Sequence, residues 1–205
     1  MELHVKRAGS SGPDSLLYRS DRVILPQCWS PDGRWIVCIT LSPVGGRPNL
    51  YGLLLGDSIR SVPLATGPFT EAQGAVSPDG KWLAYLSSES GEPEIYVQPF
   101  PGPGSKWRVS TTTGGEPSWR GDSREIYYLT QTSEMMAVAF TPGPMPKISP
   151  PHKLFDAPLG PPEATRNRYV VTRDGQRFLC VVPSRTGRVG ATTIVLNWPD
   201  RLKAR

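Results

Sequence analysis

Four aspartates, Asp32, Asp79, Asp122 and Asp174, recur in one local context. Carboxylates repeated at this spacing and gathered on one rim could hold a cation. Their neighbours point elsewhere. Ser30-Pro31-Asp32-Gly33 and Ser77-Pro78-Asp79-Gly80 are turn sequences, each running into an apolar stretch that begins with Trp. Pro31 and Pro78 preset φ at the second turn position, Ser30 and Ser77 can accept a backbone N–H at the first, and Gly33 and Gly80 tolerate positive φ at the fourth. The third copy, Arg120-Gly121-Asp122-Ser123, lacks the Pro and the final Gly, and the fourth, Thr172-Arg173-Asp174-Gly175, keeps Asp and Gly. Only the Asp is common to all four, as a turn-forming carboxylate requires. These eleven positions (Ser30, Pro31, Asp32, Gly33, Ser77, Pro78, Asp79, Gly80, Asp122, Asp174 and Gly175) are therefore read as structural.

The remaining reactive residues form no recognisable constellation. His4 and His152 are the only histidines, and neither has a neighbour at ligand spacing. No calcium loop of the D-x-[DN]-x-[DN]-G kind is present. Cys28, Cys38 and Cys180 lack CxxC spacing, and their odd number leaves at least one thiol free; Cys38 and Cys180 lie in apolar runs where a thiol packs as a small hydrophobe. Glu92 and Glu94 flank Pro93 and read as a solvated hairpin loop. GSSG at Gly9 to Gly12 is one residue short of a nucleophile elbow. GPGSKW at Gly102 to Trp107 lacks the third glycine of a dinucleotide-binding turn and the spacing of a P-loop. No catalytic, cofactor-binding or metal-ligating residue is assigned, and no cofactor is expected.

The turns mark the elements that carry them. The aspartates are 47, 43 and 52 residues apart, close to the ~40–50 residues of a four-stranded propeller blade. After each turn a strand is expected: Trp35 to Thr40, Trp82 to Ser87, Glu125 to Thr130 and Arg177 to Val182. Their nearly continuous apolar character predicts burial on both faces. Second strands follow at Leu50 to Leu55, Glu94 to Gln98, Met135 to Phe140 and Thr192 to Trp198. Outer strands are expected at Ile59 to Leu64, Lys106 to Ser110 and Lys153 to Phe155. Short inner strands precede the turns at Gln27 to Trp29, Gly74 to Val76, Glu116 to Trp119 and Tyr169 to Val171. Leu3 to Arg7 and Ser15 to Tyr18 read as the last two strands of an earlier unit. Helical periodicity with caps is absent. The prediction is an all-β propeller of about four four-stranded antiparallel blades. The segments are 1–25, 26–70, 71–113, 114–160 and 161–205, the first and last being partial. The partial ends could pair to close a small ring; an arc of a larger propeller is the favoured arrangement. Trp29 and Trp119 occupy one repeat position and Trp35 and Trp82 another, which predicts packing between blades. Trp107 and Trp198 break the repeat.

Composition is consistent with this architecture. The 21 Gly and 23 Pro suit many short strands joined by turns, below the share that signals disorder. The net charge of +5, from 23 Lys and Arg against 18 Asp and Glu, is scattered apart from Arg201, Lys203 and Arg205, so nucleic acid is not an expected partner. The first residues contain no apolar h-region, and no window approaches the roughly 18 apolar residues of a spanning helix. Membrane insertion by this chain itself is not expected, and no location follows from its residues.

The SPDG-aromatic repeat resembles the WD40-like repeats of TolB-type β-propellers. The stretches Glu94 to Thr130, Lys153 to Leu159, Asn167 to Pro183 and Ile194 to Lys203 together resemble the C-terminal propeller of bacterial receptor-like serine/threonine protein kinases. That resemblance implies an extracytoplasmic sensor or scaffold propeller. No kinase activity is carried over, because a Gly-rich loop, a VAIK-like Lys, and HRD and DFG tripeptides are all missing. The expected function is thus a non-enzymatic module that binds a protein, a peptide or a small ligand. The alternatives are a lactonase- or glycosidase-like propeller hydrolase and a fragment without independent function.

Overall fold

The computed structural model describes residues 1–9, 11–41, 46–157, 159, 162 and 167–182. Every regular element among them is a β-strand, and every pairing is antiparallel. A hairpin of β1 (Glu2–Val5) and β2 (Ser15–Arg19) comes first. The first full blade orders β3 (Val23–Trp29), β4 (Trp35–Leu41), β5 (Asn49–Leu54) and β6 (Arg60–Ala65) side by side. The second does the same with β7 (Glu71–Val76), β8 (Trp82–Ser87), β9 (Glu94–Pro99) and β10 (Trp107–Arg108). The third holds β11 (Gly114–Trp119), β12 (Glu125–Thr130), β13 (Glu134–Thr141), β14 (Lys147–Ile148) and β15 (His152–Asp156). A last pair, β16 (Tyr169–Val171) with β17 (Phe178–Cys180), follows. The chain is an all-β propeller arc.

The strands after the turns are apolar throughout because blades stack on both their faces. β8 is buried at every position, β4 at all but its two ends and β12 at all but its first residue. One continuous core joins the three full blades, from Val37 and Leu50 through Leu83 and Ile95 to Ile126 and Val138. Aromatic pairs repeat across the junctions. Trp35 meets Phe100 of the next blade edge-on at 5.8 Å, and Trp82 meets Phe140 in the same way at 5.0 Å. Such pairs contribute roughly 0.5–1.5 kcal/mol beyond area burial. A second core seats Phe178 and Cys180 against Tyr127, Leu129 and Met135. A third places Leu3, Leu17 and Tyr18 of the opening hairpin on Ile24, Ile36, Cys38 and Leu53.

Several expectations need correction. The first three inner strands begin earlier than predicted, at Val23, Glu71 and Gly114, because Pro26 in the first and the positive-φ residues Gln73 and Glu116 in the other two disguise the strand pattern. The third blade carries an additional strand, β14: β13 is long enough to pair with β15 along its first half and with β14 at its end. The expected outer strand Lys106 to Ser110 shortens to Trp107–Arg108. The strand expected at Arg177 to Val182 shortens to Phe178–Cys180 and is not buried on both faces. Leu179 is 72% and Val181 71% exposed, because only the Phe178–Cys180 face meets a neighbouring blade. Thr192 to Trp198 lies outside the described residues.

Candidate functional site

The four turns form the first candidate. In each, the Asp Oδ1 accepts the amide two residues on, from Arg34, Lys81, Arg124 and Gln176, at 3.0 to 3.1 Å. In three turns the hydroxyl of Ser30, Ser77 or Thr172 donates to the same carboxylate and accepts the amide that opens the next strand, at Trp35, Trp82 or Arg177. These bonds hold the carboxyls of Asp32 and Asp174 below the usual range, the hydroxyl contributing most. In the third turn Arg120 replaces the hydroxyl and holds Asp122 low through two guanidinium contacts. Ser123 takes the glycine position at φ 61°. The reason lies in the neighbouring turn, since its Oγ accepts the Asp79 amide at 2.9 Å. The Gly121 amide in turn donates to the Arg173 carbonyl at 2.9 Å. Pro31 and Pro78 occupy the second position of the first two turns, whose glycines, like Gly175, have φ between 71° and 75°.

A second set, missed by sequence reasoning, lies on or next to the inner strands. Gln73, Glu116 and Arg168 each stand six residues before a turn aspartate. Gln73 Oε1 accepts the Glu116 amide at 2.7 Å, and Glu116 Oε2 accepts the Arg168 amide at 2.7 Å. The Arg168 guanidinium also reaches Glu116 Oε1 through Nε at 2.8 Å and through its terminal nitrogen at 2.7 Å. The Glu116 carboxylate is fully buried. Gln73 and Glu116 sit at φ 56° and 57°, where side chains with a Cβ cost free energy, and the bonds from the next blade hold them there. Tyr169 Oη donates to the Glu116 carbonyl at 2.7 Å, and burial drives its phenol well above the usual range. The signal available in the sequence was three polar residues at one repeat position, with Pro26 at the fourth.

Chemically, this ladder binds blade to blade. Both Glu116 oxygens are engaged, so the buried acid is no free base. The thiols are equally quiet. Cys28, Cys38 and Cys180 are free, and burial raises all three, Cys38 to about 12. His4 is exposed between Glu2 at 3.1 Å and Asp14 at 2.8 Å, and His152 opens β15 on the surface. Glu94 is buried on β9 beside Arg108 at 3.3 Å, rather than in a solvated loop, while Glu92 is exposed. No group of three or more His, Cys, Asp or Glu placed to hold a metal occurs among the described residues. No helix among them is long and apolar enough to cross a membrane.

Trp119 packs between blades as its repeat position predicts, whereas Trp29 at the equivalent position is 52% exposed. Its indole N–H turns to the Gly33 carbonyl of its own turn at 3.0 Å. Trp107, which breaks the repeat, packs edge-on to Trp82 at 6.0 Å. Trp198 lies outside the described residues.

No protein-family model matches the chain, and no curated protein matches it. Solved structures do. TolB from Acinetobacter baumannii superposes with a TM-score of 0.63 at 18% identity, over 90% of this chain and 44% of that one. A functionally unknown protein from Desulfotomaculum acetoxidans DSM 771 gives a TM-score of 0.52 at 15% identity, over 86% of this chain and 55% of that one. The chain therefore spans about half the length of these structures. At such identities the likeness establishes the fold: this chain is built as a TolB-like β-propeller.

Proposed function

We propose that this chain is a non-enzymatic binding or scaffold module, an arc of a larger propeller. Its parent is a bacterial receptor-like serine/threonine kinase with the propeller outside the membrane, as the sequence resemblance implies. The repeat turns, from Ser30 to Gly175, serve structure, and the blades fall in the five segments read from the repeat. One observation carries the reading: Gln73, Glu116 and Arg168 are joined blade to blade, with Glu116 held by Arg168 on both oxygens. A propeller hydrolase instead keeps convergent acids or metal ligands free to meet substrate. Rigid blades displaying loops at their ends suit recognition.

The test is turnover. Purified protein is assayed against an aliphatic lactone and a panel of aryl glycosides. No rate above buffer is expected. Reproducible turnover that disappears in Glu116→Gln overturns the proposal.

A further inference from the structure

Structural features of this chain repeat from blade to blade, so a buried group that breaks the repeat needs a separate explanation. Glu71 is such a group. It opens β7 and pairs in register with Ser87. The equivalent residues, eight before each turn aspartate, are Ile24, opposite Thr40, and Gly114, opposite Thr130. A carboxylate is therefore not required at this position by the blade itself. Glu71 is nonetheless only 3% exposed. Its Oε1 accepts from Ser87 Oγ at 3.1 Å, while Oε2 is buried without a hydrogen-bond partner. A buried polar atom left unpaired costs about 1–3 kcal/mol, more if charged.

Glu71 is among the residues lining a cleft of about 550 Å³ between the first and second blades. Leu64, Pro68, Phe69 and Tyr85 supply apolar surface, and Lys106 stands in the lining as its one basic residue. Lys106 is already engaged: it forms an ion pair with Glu89 and lies over the Tyr96 ring, 5.9 Å from the centroid. Gln98 is also committed, its amide donating to the Leu64 carbonyl at 2.8 Å. What the cleft offers is one buried acceptor flanked by aliphatic and aromatic surface. The matching ligand is a positively charged donor on an apolar stem.

We propose that this cleft binds a primary ammonium group carried on an aliphatic chain, with Glu71 as its counter-charge. The ammonium comes from a free alkylamine or from a lysine side chain of a peptide; the chemistry of recognition is the same. Burial pushes the Glu71 carboxyl up to about 7, against smaller opposing contributions from Ser87 and Lys106 and a reinforcing one from Glu89. The group takes up a proton as pH falls through about 7, and an ammonium partner opposes that uptake.

The proposal deepens the binding-module reading but stands on a separate observation. Calorimetric titration of the purified chain with n-butylamine, and separately with the peptide acetyl-Gly-Lys-Gly-amide, tests it. Saturable binding of at least one is expected at pH 8. It weakens roughly tenfold by pH 6, as the ionised fraction of a group titrating near 7 falls. Glu71→Gln loses at least tenfold in affinity. Lys147→Met, an exposed position on β14 outside the cleft, keeps the binding. Absence of saturable binding in the wild-type protein overturns the proposal, as does equal binding by folded Glu71→Gln. If that variant does not fold, carboxyl ¹³C titration of the wild-type protein decides, since an amine that binds here must lower the Glu71 midpoint. Failure of these tests leaves the module reading intact, and lactone or glycoside turnover would overturn that reading without touching this site.

Discussion

Trp29 and Trp119 end the inner strands of the first and third blades, each three residues before its turn aspartate. Trp119 is 7% exposed, its indole N–H donates to the Ala75 carbonyl of the preceding blade at 3.0 Å, and its ring meets Phe140 at 5.2 Å. Trp29 has the same sequence context and half its surface in solvent. The hairpin β1–β2 covers Ile24 and Ile36 on this side of the first blade. It leaves an apolar groove of about 240 Å³ lined by Leu3, Val5, Leu17, Pro26 and Trp29. Among the described residues, Trp119 has the inner strand of a preceding blade beside it and Trp29 does not. The repeat decides which residue stands at a position, and the neighbouring blade decides what that residue does.

This contrast gives the largest expected effect. Trp119→Ala is expected to lower stability by about 3–5 kcal/mol, through lost transfer free energy and an unfilled cavity. Trp29→Ala is expected to cost about 1 kcal/mol or less, as a surface substitution that also frees one hydrogen bond. Urea unfolding of both variants measures the difference. Acrylamide quenching sharpens it, since the Trp29 indole should be accessible and the Trp119 indole protected. Equal costs, or a protected Trp29, would break the comparison and mean that the open face is covered in solution.

The polar ladder extends the same logic. Arg168→Ala removes the partner of a carboxylate with no exposed surface. The cost of breaking such a pair is about 3–5 kcal/mol, and the lower end is expected because the guanidinium keeps 10% exposure. Gln73→Ala, at the preceding junction, leaves the Glu116 amide unpaired and is expected to cost about 1–3 kcal/mol. A smaller loss for Arg168→Ala than for Gln73→Ala in thermal unfolding would show that the ion pair is not what joins the third blade to the last hairpin.

The reach of sequence reasoning follows from the same physics. β8 and β12 fall at the predicted residues, because a fully apolar run bounded by turn residues leaves little choice of limits. The inner strands were legible only near the turns. Beyond them, Gln73 and Glu116 adopt positive φ and Pro26 interrupts β3, so the alternation that marks a strand fails. The exposure of Trp29 was hidden because the repeat places it in register with a buried tryptophan. The cleft was hidden for another reason. Glu71 and Lys106 lie on separate strands and loops of one blade and match no motif; only the fold brings them into one wall.

The turn glycines provide a smaller test of open against covered surface. Gly33 and Gly175 have nearly the same φ, 71° and 75°. A Cβ at Gly33 meets nothing within 4 Å, whereas at Gly175 it falls 2.2 Å from Tyr127 Oη and 2.9 Å from Arg120 Cδ. Gly33→Ala is expected to cost about 1–2 kcal/mol, the left-handed conformation alone. Gly175→Ala adds about 1–3 kcal/mol for displaced neighbours. Equal midpoints in urea would mean that the fourth turn does not dock on the third blade.

The smallest effect belongs to the open end itself. The β1–β2 hairpin is edged by exposed charges: His4 contacts Glu2 and Asp14, and Arg19 pairs with Glu2 at 2.8 Å. The hydrogen bond that the His4 ring donates to Glu2 raises the His4 pKa above its ordinary 6.5, and the Asp14 charge adds to the rise. A histidine raised in the folded state contributes stability that is fully present below 6.5 and is lost as pH rises through the folded value. His4→Gln removes that contribution without removing the strand. Amide exchange across the Leu3–Tyr18 and Val5–Ser15 pairs, corrected for intrinsic rates, should therefore show protection in the wild-type protein that declines from pH 6 to pH 8. In His4→Gln it should be flat with pH. The Ala72–Leu86 pair, buried between blades, should show no such change in either protein. Wild-type protection that is flat from pH 6 to pH 8 would remove His4 from the hairpin's stability and assign its docking to the apolar contacts with Ile24 and Ile36. The open face would then be held by packing alone, without the polar bonds that join the closed junctions.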